Sequence, residues 1–114
     1  MTNSDLIHQA YQAFNARDID GVLALMHPDV YWPNGWEGGY VAGHDEVRNY
    51  WLRQWQEIDP IVTPVSIGDV PSGQIEVTVH QVVKDWQGTL LADGLIKHLY
   101  TIHDGKISRM DIKN

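Results

Sequence analysis

Apolar residues recur at helical spacing at the start of the chain. Leu6, Ile7, Ala10, Ala13 and Phe14 share one face, with Asn3 or Ser4 available as N-cap, which predicts a helix from about Ser4 to Ala16. Asp18 is placed to cap a short second helix whose apolar face is Ile19, Val22, Leu23 and Met26. His27-Pro28 ends it, because the residue before a proline is pushed out of the helical region. Val30, Tyr31 and Trp32 then read as a short strand, closed by Pro33-Asn34-Gly35. Residues 33–43 are glycine-rich and carry Trp36 and Tyr40, a loop that either covers a pocket as a lid or plugs the end of the core. A third helix is expected from near His44, with Asp45 and Glu46 favouring its dipole. Its apolar face is Val47, Tyr50, Trp51, Trp55 and Ile58, and Asp59-Pro60 closes it.

After Pro60 the pattern changes to strands. The runs Ile61 to Ile67, Gln74 to Asp85, Thr89 to Ile102 and Lys106 to Ile112 are rich in β-branched residues and bounded by turn formers. Asp104-Gly105 is a strong hairpin signal. Helices first and strands last predict an α+β fold: a cone-shaped, curved antiparallel sheet roofed by three N-terminal helices, with a pocket between the layers. A length of 114 residues is that of one domain, expected to span residues 1–114.

Alternation fixes which side chains face the pocket. If Trp86-Gln87 is a two-residue turn, Ile75 stands opposite His98. Ile75, Val77, Val79, Gln81 and Val83 then share a face with Gly94, Ile96, His98, Tyr100 and Ile102. For the last hairpin, a three-residue loop His103-Asp104-Gly105 with a glycine bulge turns Met110 and Ile112 inward, Met110 opposite His98. A two-residue loop would set Asp111 opposite His98 instead. The bulge is preferred because it buries Met110 and Ile112 rather than Arg109 and Asp111. In either register His98 is the one ionisable side chain on an otherwise apolar inner face.

Composition narrows the function. Fifteen acidic against eight basic residues give a net charge of −7, and the basic residues form no stripe, so nucleic acid is not an expected partner. No apolar run is long enough to span a membrane, and none is expected to. The first residues carry no export signal, and with no cysteine a cytoplasmic location is the default expectation. The histidines show no zinc-type spacing, so no metal is expected, and with no phosphate-binding glycine pattern no cofactor is expected either.

His98 is the candidate catalytic residue. An imidazole inside an apolar pocket is held neutral, and can then take a proton from a carbon acid or donate a hydrogen bond to a carbonyl. Equally, it can be a core histidine satisfied by a tyrosine hydroxyl or a backbone carbonyl. The expected ligand-contacting residues are Phe14, Trp32, Trp36, Tyr50, Tyr100, Met110 and Ile112. Aromatic walls of this kind suit a small apolar or aromatic ligand. Trp51 and Trp55, at helical spacing, read as core. Glu37 and His44 lie near the expected mouth but read as exposed loop residues.

The stretch FNARDIDGVLALMHPDV, the AGHDEV entry to the third helix and the closing HDGKISRMDI resemble the nuclear transport factor 2-like superfamily. Within it the likeness is to SnoaL-like and ketosteroid-isomerase-like proteins, from Tyr11 to Ile112. The resemblance implies a pocketed α+β fold that commonly pairs as a homodimer through the outer sheet face, where Val82, Leu91, Leu99 and Ile107 offer apolar area. It does not choose among isomerases, cyclases, lyases and binding domains. The isomerases' general-base aspartate precedes a proline after the first strand, and the matching pair here is Trp32-Pro33. Their oxyanion tyrosine falls on Ala10, with Tyr11 one position off, and their protonated aspartate falls on His98. The expectation is an isomerase, cyclase or lyase working by proton transfer at carbon through His98, or a non-catalytic ligand-binding or dimerisation module.

Overall fold

A computed structural model describes residues 2–113. Helix α1 (Asn3–Asn15) starts from a reciprocal cap. The Thr2 hydroxyl accepts from the Asp5 amide and the Asp5 carboxylate accepts from the Thr2 amide, both at 3.1 Å. The cap is therefore Thr2, ahead of the expected Asn3 or Ser4. Asp18 caps α2 (Ile19–Leu23) by accepting from the Gly21 amide at 3.0 Å. Between the two helices Arg17 takes a left-handed conformation, φ 62°. Its guanidinium donates to the Phe14 and Pro60 carbonyls and pairs with Asp59, tying the end of α1 to the first residues of the long strands.

Strand β1 (Met26–Pro33) begins earlier than the expected Val30. Met26 is fully buried at its start rather than on a helix face. The glycine-rich segment after it is a hairpin and not an open loop. Strand β2 (Tyr40–Ala42) pairs with β1, and the Asn34 amide and carbonyl close the turn against Gly39 and Gly38. Helix α3 (Gly43–Glu57) follows, then β3 (Ile58–Asp69), β4 (Ile75–Asp85), β5 (Leu90–His103) and β6 (Lys106–Lys113). The six strands form one curved, unclosed sheet in the order β2-β1-β6-β5-β4-β3. The α+β expectation holds. All pairings are antiparallel except β1 with β6, whose parallel ladder is interrupted between Met26 and Tyr31, where Pro28 has no amide to give.

Two registers differ from expectation, each by an even number of residues. The β4–β5 turn is longer than two residues, and a bulge near Leu91 follows it, so Val77 rather than Ile75 stands opposite His98. In the last hairpin Asp104 and Gly105 form a two-residue turn with positive φ at both, 52° and 74°, the pairing that matches strand twist. The extra residue sits further in, at Ser108, between the Thr101–Arg109 and Ile102–Ile107 pairs. Met110 therefore faces Tyr100, and Ile112 faces His98. Beyond the bulges the shift is even and preserves the face of each side chain, so the inner set there is the expected one. Bulges at these points, and one in β3 at Val65, also bend the sheet.

The core lies between the inner sheet face and the helices, with Ile7, Met26, Val30, Val47, Val77, Val79 and Ile107 fully sealed. Ile107 is thus a core residue, not part of the outer face where it was expected: the bulge at Ser108 turns it inward. Leu91 is likewise displaced, its bulged position setting it at the rim of the cavity described below. The outer face keeps Ile61, Val82, Leu95 and Leu99, with Leu95 67% exposed. Among the described residues no helix is long and apolar enough to cross a membrane.

Candidate ligand-binding site

Inner-face residues of β4, β5 and β6, the end of β1 and the inward edges of α1 and α3 enclose a cavity of about 440 Å³. Phe14, Trp32, Trp36, Tyr50, His98, Met110 and Ile112 all line it, seven of the eight residues singled out from the sequence. The eighth, Tyr100, stands behind His98 at 1% exposure and reaches only a void of about 30 Å³. Trp36 and Ile112 are more than a third exposed and form the rim. Trp51, expected as core alone, is sealed from solvent and yet contributes to the wall. It meets Trp32 edge-on at 5.7 Å and stacks on Trp55 at 5.8 Å. Phe14 packs edge-on against both Trp51 and Trp55.

His98 is the buried polar centre, 7% exposed. Its Nδ1 lies 2.7 Å from the Tyr11 hydroxyl, which lies 2.7 Å from the Tyr100 hydroxyl. Tyr11 was passed over in the sequence reading, which aligned Ala10 with the family's tyrosine. A signal was present: Tyr11 follows Ile7 by four residues and precedes Phe14 by three, on the buried stripe of α1.

The direction of this chain follows from counting protons. Among the described residues Tyr100 has Tyr11 as its one side-chain partner, so a Tyr100 hydroxyl that only accepted would bury an unsatisfied O–H. Tyr100 therefore donates to Tyr11, and Tyr11 donates to His98 Nδ1. Burial pushes the His98 imidazole down to about 4, so it is neutral near pH 7. A neutral ring that accepts at Nδ1 carries its proton on Nε2. Among the described residues that nitrogen has no hydrogen-bond partner, and it is not sealed either, because the one side-chain polar atom there that is both sealed and unpartnered is Trp55 Nε1. Because His98 lines the cavity, its Nε2 is a hydrogen-bond donor available there. Burial also drives both tyrosines well above the ordinary phenol range, so neither ionises near neutrality.

Glu37 and His44 do not enter the cavity. Glu37 is held by Arg53, at 2.8 and 3.2 Å, and by Asn34 at 2.8 Å, and Arg53 first and Asn34 second keep its carboxyl below the usual range. His44 Nε2 is bonded to the Met26 carbonyl at 3.1 Å. Among the described residues no Asp or Glu lines the cavity, and its other polar side chains include Tyr50, Gln54 and Gln81. Gln54 donates to the Tyr50 hydroxyl at 3.1 Å, and burial pushes that hydroxyl up to about 12. Among the described residues no three His, Asp or Glu side chains gather as metal ligands.

Comparison with known proteins places this pocketed α+β fold in a family. Residues 7–110 match the SnoaL-like domain family, to which the chain belongs. Among solved structures it is similar to TerC co-crystallised with polyporic acid, with 29% identity over 97% of this chain and 89% of that one, and a TM-score of 0.84. It is also similar to an NTF2-like protein of unknown function from Burkholderia pseudomallei. There the identity is 26% over 99% of this chain and 91% of the other, with a TM-score of 0.85. A computationally designed 17-OHP binder shares the fold at 18% identity and a TM-score of 0.80, over 95% and 88% of the two chains. No curated protein matches the chain.

Proposed function

We propose that the cavity takes a flat, apolar carbonyl compound and polarises it through His98 for proton transfer at the neighbouring carbon, an isomerase, cyclase or lyase role. The observation that carries this reading is the Tyr100–Tyr11–His98 chain, which ends on a donor facing an aromatic-walled space. A fixed donor in a water-poor site stabilises the oxyanion that develops when a C–H bond beside a carbonyl breaks. The electron pair moves into the enolate, its oxygen accepts from His98 Nε2, and the proton passes to water at the open rim. The similar protein TerC, crystallised with polyporic acid, supports a small-molecule ligand.

A second reading, a binding protein without catalysis, is favoured by the absence of any carboxylate base in the cavity wall. One experiment separates the two. The enolisable aryl ketone 2-tetralone is incubated with protein in D₂O, and deuterium entry at its α-carbons is followed by NMR. Catalysis predicts exchange faster than buffer, lost in His98→Ala even where the ketone, though bound more weakly, saturates the protein. Binding without accelerated exchange supports the second reading, and full exchange in His98→Ala removes the first.

We also infer that a second copy of the chain covers the outer sheet face, where Leu95, Ile61 and Val82 stand together with no helix over them. Leu95→Glu is expected to shift size-exclusion elution from dimer to monomer, and an unchanged profile would remove this interface.

A further inference from the structure

The cavity has a second polar pole that the His98 chemistry does not use. Gln81 lies on the inner face of β4, lines the cavity, and makes no side-chain hydrogen bond among the described residues. Its position follows from register. His98 pairs with Val77, and Gln81 is four residues further along the same strand. The two side chains therefore enter the cavity roughly 13 Å apart along the strand direction. The wall around them includes the apolar Phe14, Val62 and Ile96, and the cavity's other amide, Gln54, donates to the Tyr50 hydroxyl.

The residue paired with Gln81 across the ladder is Gly94. Glycine is not needed there for backbone reasons, since its φ is not positive, and a Cβ added to it would meet nothing within 4 Å. Glycine inside a strand weakens it, and often marks a place where something must approach closely. Alternation puts the missing side chain on the inner face, between Ala92 and Ile96, both of which line the cavity. The effect is an open space beside an unpartnered amide.

We propose that Gln81 is the second anchor of the ligand, with Gly94 leaving room for it, so that the site selects an elongated flat molecule carrying oxygen functions at both ends. One oxygen, a carbonyl, sits on His98, and the other, a hydroxyl or carbonyl, sits on the Gln81 amide. An amide both donates and accepts, so it takes either. This inference rests on the carbonyl-binding reading of the cavity and adds its length and its far-end chemistry.

The test uses two probes that differ at one end, 4-acetylbiphenyl and 4-acetyl-4′-hydroxybiphenyl, titrated by tryptophan fluorescence. The wild-type protein is expected to bind the hydroxylated probe about 3- to 10-fold more tightly, the range one neutral hydrogen bond supplies. Gln81→Leu should abolish that preference, bringing the two affinities together. Gly94→Val keeps the amide but fills the space beside it, and should weaken the hydroxylated probe more than the plain one. His98→Ala should weaken both probes alike. Equal loss of both probes in Gln81→Leu, or a preference that survives it, overturns the role of Gln81 while leaving the cavity reading intact. If the wild type binds neither probe, the carbonyl-binding reading falls and this inference falls with it.

Discussion

The Tyr11 hydroxyl lies 2.7 Å from His98 Nδ1, joining the middle of the first helix to the middle of the fifth strand. Tyr100 extends the contact into a buried three-member chain. Removing its central hydroxyl strands two groups at once. Tyr11→Phe should therefore destabilise the fold by about 1–3 kcal/mol in urea unfolding, the cost of buried polar atoms left without partners. In that background Tyr100→Phe removes a hydroxyl that is already unsatisfied, so the double variant should be no less stable than Tyr11→Phe alone. Losses that simply add would mean that the hydroxyls act independently.

Burial of His98 makes stability depend on pH. The unfolded chain takes up a proton at this imidazole near 6.5, while the folded chain does not until about 4. In that window the unfolded state binds more protons, so stability falls as pH falls. Between pH 7.5 and pH 5 the wild type should lose about 2 kcal/mol more than His98→Gln. Working above pH 5 keeps Glu37, Glu76 and Asp111 ionised, because their partners Arg53, Lys113 and Arg109 hold their carboxyls below the usual range. Parallel pH profiles for the two proteins would show that the ring is hydrated in the folded state.

The inner face was legible because side-chain alternation survives any even slip of register. Both hairpins slipped by two residues, and His98, Met110 and Ile112 still arrived in the cavity wall. What pairs with what was not legible, because bulges at Ser108 and Leu91 leave no sequence mark that local propensity can read. Ile107 was misplaced for that reason. The parallel contact of β1 with β6 was out of reach as well, since it joins Met26 to Ile107 across most of the chain. Tyr11 was missed for a different reason. A tyrosine on a buried helical stripe looks like packing, and its hydroxyl acquires a role only once β5 brings His98 beneath it.

The tip of the β1–β2 hairpin is strapped to α3 by one ion pair. Glu37 receives two bonds from Arg53, while Asn34 Oδ1 accepts from the Trp36 and Glu37 amides. This holds Trp36 over the rim of the cavity. The pair is exposed, so Arg53→Ala should change global stability by less than about 1 kcal/mol. Its effect should be local: faster amide hydrogen exchange at residues 34–39, with protection in β4 and β5 unchanged. Unaltered exchange at the tip would assign its order to the Asn34 turn alone.

The direction of the Tyr100–Tyr11–His98 chain decides what His98 can do, and it can be read directly. With Tyr11 donating, Nε2 carries the proton and offers a donor to the cavity. Were the chain reversed, Nδ1 would donate to Tyr11, and Nε2 would face the cavity as a lone pair able to remove a proton from carbon. Long-range ¹H–¹⁵N correlation of the histidine rings distinguishes the two forms. The expected spectrum has a protonated Nε2 and an unprotonated Nδ1 for His98, constant from pH 8 to pH 5 because the ring stays neutral down to about 4. Tyr11→Phe should release that preference and mix the two forms. A protonated Nδ1 in the wild type would turn His98 from a polarising donor into a base, and the α-carbon exchange would then follow its titration.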